Sequence, residues 1–207
     1  MTNDIRKIVK EGYEQGDYAG HFRVSSDPNE MEKKYLNRLA VLLPKAAKVL
    51  DLGCGIGIPF DKYLVEKGFE VTGIDFASNH IVEAKKNVPD ATFIEGDFSK
   101  TDFGGKRFHA IIAFYSIFHI PREEHQALFD KMHNLLENNG VILVTLGTSS
   151  EVSIEKDFVG APMAWSNYEP EKYKAMIAQA GFEITESEYE GQPGDNEYHW
   201  WVLAKKK

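Results

Sequence analysis

The stretch that decides the fold is VLDLGCGIG, residues 49–57. An apolar run ends near Asp51, and glycines then stand at every second position, at Gly53, Gly55 and Gly57. In an open parallel sheet, ligands bind beyond the carboxyl ends of the strands where the strand order reverses, and the first strand usually lies there. Glycines let the backbone turn tightly and let a ligand lie against bare peptide groups. We therefore predict that this loop contacts a ligand.

Short apolar runs alternate with helical patterns from residue 48 onward, which is typical of βαβ units and a parallel sheet. The predicted parallel strands are 48–52, 70–75, 91–95, 109–114 and 141–146, and the helical spacing between them ends at Gly68, Pro89 and Gly140. Two more strands, ITESEYE and EYHWWVLAKK, surround the turn-forming GQPGDN and should pair antiparallel. The predicted fold class is α/β, with a doubly wound, mostly parallel seven-stranded sheet and a C-terminal antiparallel hairpin.

The length of 207 residues favours a single domain, 1–207. Residues 4–15 and 30–43 have the pattern of two helices outside any crossover, so we expect residues 1–45 to form a helical cover at the sheet edge. Residues 148–168 exceed the usual connection length and are predicted to be a loop insertion over the active site.

The composition limits the partners. The net charge of −8 and the absence of a basic stripe argue against nucleic acid, and no stretch is apolar enough to cross a membrane. A single cysteine, Cys54, allows no internal disulfide. His119, His125 and His133 lack the i, i+4 spacing of helical metal ligands, so we expect no metal. A cytoplasmic monomer or homodimer with a small-molecule partner is the expectation.

Two common phosphate-binding loops do not match the sequence. A dinucleotide fingerprint needs a third glycine or alanine where this chain has Phe60, and a P-loop needs Gly-Lys-Ser/Thr. Asp51 would repel a phosphate but can orient a cationic or amine-bearing ligand.

The chain resembles the class I S-adenosylmethionine-dependent methyltransferases from about Lys48 to its C-terminus. DLGCGIG matches the family's first motif, D/E-x-G-x-G-x-G, and the second strand ends in Asp75 and Phe76, where the family places a ribose-binding acid. The third strand leads to EGDFS, where the resemblance implies that Asp97 and Phe98 meet the adenine. The fourth leads to AFYSIFHIP, where the family lays the methionine part of the cofactor.

The resemblance thus implies a Rossmann-like methyltransferase fold with S-adenosylmethionine as the cofactor. The implied cofactor-binding residues are Asp51, Gly53, Gly55, Gly57, Asp75, Phe76, Asp97, Phe98 and Phe114. It also implies in-line methyl transfer, for which a dedicated base is optional.

Candidate catalytic residues follow the fourth strand. His119 is a candidate general base, because its ordinary pKa lies near neutrality, but a histidine just before Pro121 is equally compatible with a structural role. Tyr115 is the second candidate. Expected acceptor-contacting residues are aromatic or apolar and come from the N-terminal cover, this segment and the long loop; they are Tyr13, Tyr18, Phe118, Met163, Trp165 and Tyr168.

The acceptor is expected to be a small molecule. The chain lacks the Asn/Asp-Pro-Pro-Tyr of the family's adenine and amide enzymes, and Cys54 is not where cytosine C5 enzymes carry their nucleophile. The sequence does not choose between O, N and C acceptors. A catalytically silent protein that binds S-adenosylmethionine or S-adenosylhomocysteine and a nicotinamide-dependent oxidoreductase are the alternatives.

Overall fold

The structure is a computed structural model that describes residues 5–23, 25–193 and 198–207, without the side chains of Tyr18 and Ala19. Its α-helices are α1 (Ile5–Gln15), α2 (Tyr18–Phe22), α3 (Glu30–Leu42), α4 (Phe60–Glu66), α5 (Ser78–Asn87), α6 (His125–Leu135) and α7 (Pro170–Gln179). Its strands are β1 (Lys48–Leu52), β2 (Glu70–Asp75), β3 (Thr92–Glu95), β4 (Phe108–Ala113), β5 (Leu136–Leu146), β6 (Val152–Phe158), β7 (Ala161–Ser166), β8 (Phe182–Glu190) and β9 (His199–Lys206).

Seven strands form one sheet in the order β3-β2-β1-β4-β5-β9-β8. Strand β1 pairs in parallel with β2 and β4, and β9 pairs antiparallel with β5 and β8. The predicted doubly wound, mostly parallel sheet and its C-terminal hairpin are confirmed. The strand order reverses between β1 and β4, so the glycine loop after β1 lies at the switch point where such sheets bind ligands.

Both faces of the sheet are covered. One apolar cluster packs α6 and α7 on one face, and a second packs α3 and α4 on the other. Trp200 belongs to the first cluster and Trp201 to the second, because successive side chains on a strand point to opposite faces. Both tryptophans are buried.

Two secondary-structure predictions were wrong. The helical spacing that ran to Gly140 ends at Leu135, because the buried Leu136 pairs with Phe108 and begins β5. Residues 148–168 are not an irregular loop, since they contain the β6–β7 hairpin. Its turn, Val159–Gly160, has two positive φ values, which is the twist that a two-residue hairpin requires.

The predicted N-terminal cover separates into two parts. Helix α3 packs on the sheet face, and its start is fixed by a capping box in which Asn29 and Glu32 satisfy each other's backbone N–H groups. Helix α1 packs against the β6–β7 hairpin at the carboxyl edge of the sheet. Of α1 and α3, it is therefore α1 that lies over the predicted ligand site.

The residues that the structure describes include no helix long and apolar enough to cross a membrane. Among the same residues, no group of three or more histidine, cysteine or acidic side chains is arranged to hold a metal ion.

Candidate active site

A cleft opens at the carboxyl ends of β1, β2 and β4, beneath α1. It brings together residues from the glycine loop, the ends of the strands, helix α1 and the segment after α2. Its lining is Arg6, Tyr13, Arg23, Gly53, Cys54, Gly55, Ile56, Ile58, Phe60, Asp75, Phe76, His80, Asp97, Phe98, Phe114, Tyr115, Ser116, His119 and Ile120. Most of the sequence-predicted site residues are in this set.

The three loop glycines have different physical reasons to be glycine. All have positive φ. A Cβ on Gly53 would lie 2.4 Å from the Ser116 Cβ, and a Cβ on Gly57 would lie 3.2 Å from Phe93 and Val88, so both permit close packing. A Cβ on Gly55 would meet no atom within 4 Å. Gly55 therefore presents bare backbone to open space in the cleft, whereas Gly57 is outside the lining.

Asp51 lies beneath the loop, 1% exposed, beside the fully buried Asp61 of α4. No described N–H or hydroxyl group donates a hydrogen bond to either carboxyl. The buried oxygens can therefore be satisfied only by a proton that the two carboxyl groups keep and share. Burial raises the pKa of Asp51 to about 7, and burial with the Asp51 charge raises the pKa of Asp61 well above its ordinary value. Asp51 does not line the cleft among the described residues; it supports the loop from below.

This pair predicts a pH dependence of stability. Because both pKa values are raised in the folded state, the stability that the pair contributes is present below the ordinary aspartate pKa and is lost as the pH rises through about 7. Each proton that the folded protein keeps and the unfolded chain has lost changes the free energy of unfolding by about 1.4 kcal/mol per pH unit. Asp61→Asn should therefore lose less stability than the wild type between pH 5 and 8, as measured by urea unfolding. If the free energies of unfolding of Asp61→Asn and the wild type changed in parallel with pH, the two carboxyl groups would not share a proton.

Asp75 ends β2 and faces the cleft. One carboxylate oxygen accepts from the Gly55 N–H at 3.0 Å, and the other accepts from the Ala77 N–H at 2.9 Å. A carboxylate can accept about four hydrogen bonds, so this geometry leaves acceptor capacity for a diol in the cleft. Asp75 thus ties the glycine loop to β2 and fits the predicted ribose-binding role.

Asp97 follows β3 and is held by two neighbours. One of its oxygens accepts from the Ser99 N–H and hydroxyl at 2.9 and 2.6 Å, and the other accepts from Arg6 Nε at 2.8 Å. The Ser99 hydrogen bonds and the Arg6 charge lower the pKa of Asp97 despite its partial burial. Asp97 is therefore an ionised acceptor at the edge of the cleft, next to Phe98.

Tyr13 and His119 form a buried hydrogen-bonded pair in the lining of the cleft. His119 Nδ1 lies 2.9 Å from the Ala164 carbonyl oxygen, which can only accept, so Nδ1 carries the proton. Nε2 then accepts from the Tyr13 hydroxyl at 2.8 Å. Burial lowers the pKa of His119 to about 4, so the imidazole is neutral at pH 7 and has a basic nitrogen directed at Tyr13.

Tyr115 lines the cleft but is not arranged as a base. Its hydroxyl donates to Glu190 at 2.9 Å, and Glu190 also accepts from Trp201 Nε1 at 2.8 Å. Burial and the Glu190 charge raise the pKa of Tyr115 strongly, so it stays protonated. The predicted catalytic role of Tyr115 is thereby restricted to contact and hydrogen bonding.

The predicted acceptor contacts are only partly brought together. Tyr13 lines the cleft, whereas Phe118 is buried behind it against His119 and His199. Met163 is 1% exposed and packs under α1. The centroid of the Trp165 ring lies 6.0 Å from that of His119, in a second layer outside the lining.

Tyr168 lies away from the cleft, where it packs on His125 and Tyr173. We expected it in the roof of the site, but β7 ends at Ser166 and the chain then turns toward α7. Tyr18 begins α2, and its side chain lies outside the described part of the structure.

Arg6 and Arg23 line the cleft and were missed by sequence reasoning. The Arg23 guanidinium lies 5.1 Å from the Phe60 ring centroid and 5.5 Å from that of Tyr115. Arg6 lies on α1 and Arg23 follows the end of α2, both outside the sheet, and no motif marks either of them. The one available signal for Arg6 is its spacing of seven residues from Tyr13, which puts both on the same helix face.

The fold and cleft define the protein as a Rossmann-like α/β protein with a glycine loop at the topological switch point. A family model described as a methyltransferase domain matches residues 49–140. The chain is 30% identical over 170 residues to phosphoethanolamine N-methyltransferase 3 of Arabidopsis thaliana, covering 77% of this chain and 33% of that one. It is 36% identical over 85 residues to an S-adenosyl-L-methionine-dependent Diels-Alderase of Neonectria, covering 41% and 34%.

Among solved structures, the magnesium protoporphyrin IX methyltransferase of Synechocystis PCC 6803, crystallised with S-adenosylmethionine, superposes with a TM-score of 0.72 at 15% identity. The match covers 100% of this chain and 99% of that one. Residues 49–140 therefore belong to a methyltransferase domain family, and the fold is that of the class I S-adenosylmethionine-dependent methyltransferases. It spans about a third of the length of the two curated relatives named above.

Proposed function

We propose that this protein transfers a methyl group from S-adenosylmethionine to a small-molecule acceptor. The observation that carries the proposal is the cleft in which Gly55 leaves open space beside bare backbone, between the acids Asp75 and Asp97 and the Tyr13–His119 pair. The relatives add support, because phosphoethanolamine and magnesium protoporphyrin IX, which appear in their names, are small molecules.

The residues present fit this cofactor. Gly55 provides a cradle that a side chain would fill, Asp75 retains acceptor capacity for the ribose hydroxyls, and the ionised Asp97 can accept from the adenine amino group. Phe98 and Phe114 supply apolar contact surface. When bound, S-adenosylmethionine would supply a sulfonium methyl group that a nucleophilic acceptor atom displaces in line.

The chain's own residues then have three tasks. Helix α1 and the hairpin behind it exclude water, which strengthens electrostatic interactions in the cleft. The aromatic Tyr13 restricts where an acceptor lies. His119 Nε2 is a neutral base that takes the Tyr13 hydroxyl proton while the Tyr13 oxygen takes a proton from the acceptor. A hydroxyl acceptor loses this proton as its oxygen is methylated, and a neutral amine acceptor loses it from the ammonium group that methylation forms.

Methyl transfer is tested by incubating the protein with S-adenosylmethionine and a library of small metabolites, followed by mass analysis. We expect a product heavier by one methyl group and an equal amount of S-adenosylhomocysteine. Binding of the cofactor without product from any acceptor class would favour the catalytically silent alternative.

The role of Asp75 is tested by substitution. Asp75→Ala should weaken cofactor binding by about 2–3 kcal/mol, the scale of hydrogen bonds to a charged group, and Asp75→Asn should have a smaller effect. Calorimetry with S-adenosylmethionine and its 2′-deoxy analogue measures both. If the wild-type protein binds the two ligands equally, the carboxylate does not hold the ribose diol.

A further inference from the structure

We propose that Arg6 is a positioning residue that links the adenine end of the cleft to the Tyr13–His119 pair through helix α1. The inference rests on the proposed function, because it takes S-adenosylmethionine as the ligand beneath α1. Arg6 would make cofactor binding and assembly of the Tyr13–His119 pair a single event.

The hydrogen bonds of the Arg6 guanidinium join α1 to two other segments. Its Nε donates to Asp97, its two terminal nitrogens donate to Glu124, and one of these also donates to the Ser99 hydroxyl at 3.0 Å. The Arg6 side chain is 16% exposed, whereas that of the neighbouring Lys7 is 71% exposed. Arg6 is thus a built contact between α1, the loop after β3 and the start of α6.

Electrostatics gives Arg6 a further task. The Asp97 charge opposes ionisation of Glu124, whose pKa is nevertheless lowered by the hydrogen bonds from Arg6. Without Arg6, two carboxylates that repel each other would remain between the loop after β3 and α6. Together with the Ser99 hydrogen bonds, Arg6 therefore holds the position and the charge of Asp97, the acid proposed to meet the adenine amino group.

Helix α1 carries this constraint along the cleft. Arg6, Lys10 and Tyr13 are spaced by four and three residues, so they share one helix face. Lys10 Nζ donates to the Phe76 carbonyl at 2.6 Å, next to Asp75, and Tyr13 donates to His119. From Arg6 to Tyr13 the helix rises roughly 10 Å, so it crosses the cleft from the adenine end to the base.

The opposite face of α1 is held tightly by the hairpin. A Cβ on Gly12 would lie 2.4 Å from the Pro162 carbonyl oxygen, and Met163 is buried against the helix. This close backbone packing makes α1 and the hairpin one unit. A displacement at Arg6 is therefore transmitted to Tyr13, and a ligand that contacts both residues in the cleft holds the whole unit in place.

The test uses S-adenosylhomocysteine as the probe, with its affinity measured by calorimetry and the exchange of the α1 amides (residues 5–15) followed with and without it. The variants are Arg6→Gln and the matched control Lys7→Gln, which alters only an exposed pair with Glu11. In a third protein, Glu124→Gln is added to Arg6→Gln to remove the carboxylate that repels Asp97. Arg6→Lys replaces Arg6→Gln if the latter does not fold.

We expect the probe to protect the α1 amides in the wild type and in Lys7→Gln. Arg6→Gln should bind it at least about tenfold more weakly and lose that protection, and the added Glu124→Gln should recover part of both. If Arg6→Gln kept the affinity and the protection of the wild type, the proposed role of Arg6 would be wrong and the proposed function would stand. A wild type that does not bind the probe would instead overturn the proposed function, so the two failures are distinguishable.

Discussion

Gly55→Val should abolish the binding of S-adenosylmethionine while leaving a folded protein. Gly55 has φ of +54°, and its Cβ direction points into open space in the cleft. A valine there would place a branched side chain where we propose that the ligand lies against the backbone. It would also be strained, because β-branched residues rarely adopt positive φ, at a cost of about 1–3 kcal/mol.

Gly104→Val is the matched control for this substitution. Gly104 has φ of +62° and no atom within 4 Å of its Cβ position, but it lies outside the cleft. Both variants should therefore lose similar stability in thermal unfolding, while only Gly55→Val loses cofactor binding in calorimetry. Unchanged affinity in Gly55→Val would show that the glycine loop does not contact the cofactor.

Tyr13→Phe should reduce kcat by about 10²–10⁴-fold, the range for general base catalysis, with cofactor affinity nearly unchanged. The substitution keeps the ring, which packs on Phe76 and His119, and removes only the hydroxyl that donates to His119 Nε2. Wild-type activity should also decline as the pH falls toward about 4, because the imidazole then becomes protonated.

Tyr63→Phe serves as the control for Tyr13→Phe, since the Tyr63 hydroxyl donates to Asn37 on the protein surface. Steady-state kinetics with an acceptor identified in the metabolite screen measures both variants. If Tyr13→Phe turned over as fast as the wild type, the Tyr13–His119 pair would have no part in proton transfer.

The sheet could be predicted because its signals are local. Each strand from β1 to β4 is a short apolar run beside a recognisable stop, and the glycines after β1 mark the switch point. The β6–β7 hairpin gave no such signal, since β6 is largely exposed and contains Glu155, Lys156 and Asp157. Its stability comes from contact with α1, which lies more than a hundred residues earlier in the chain.

Residues of the candidate cleft could be predicted where motifs and strand ends coincide, as at Gly55, Asp75 and Asp97. They could not be predicted where tertiary contacts decide the role of a residue. Arg6 contacts Asp97 because α1 packs over the cleft. Tyr168 lies outside the cleft because the chain turns toward α7 after β7. Sequence spacing alone contains neither fact.

Calorimetric titration of the wild-type protein with S-adenosylmethionine, S-adenosylhomocysteine and NAD tests the central claim most directly. We predict saturable binding of the first two ligands at one site per chain and no binding of NAD. Binding of NAD without binding of S-adenosylmethionine would contradict the account and favour the nicotinamide-dependent alternative.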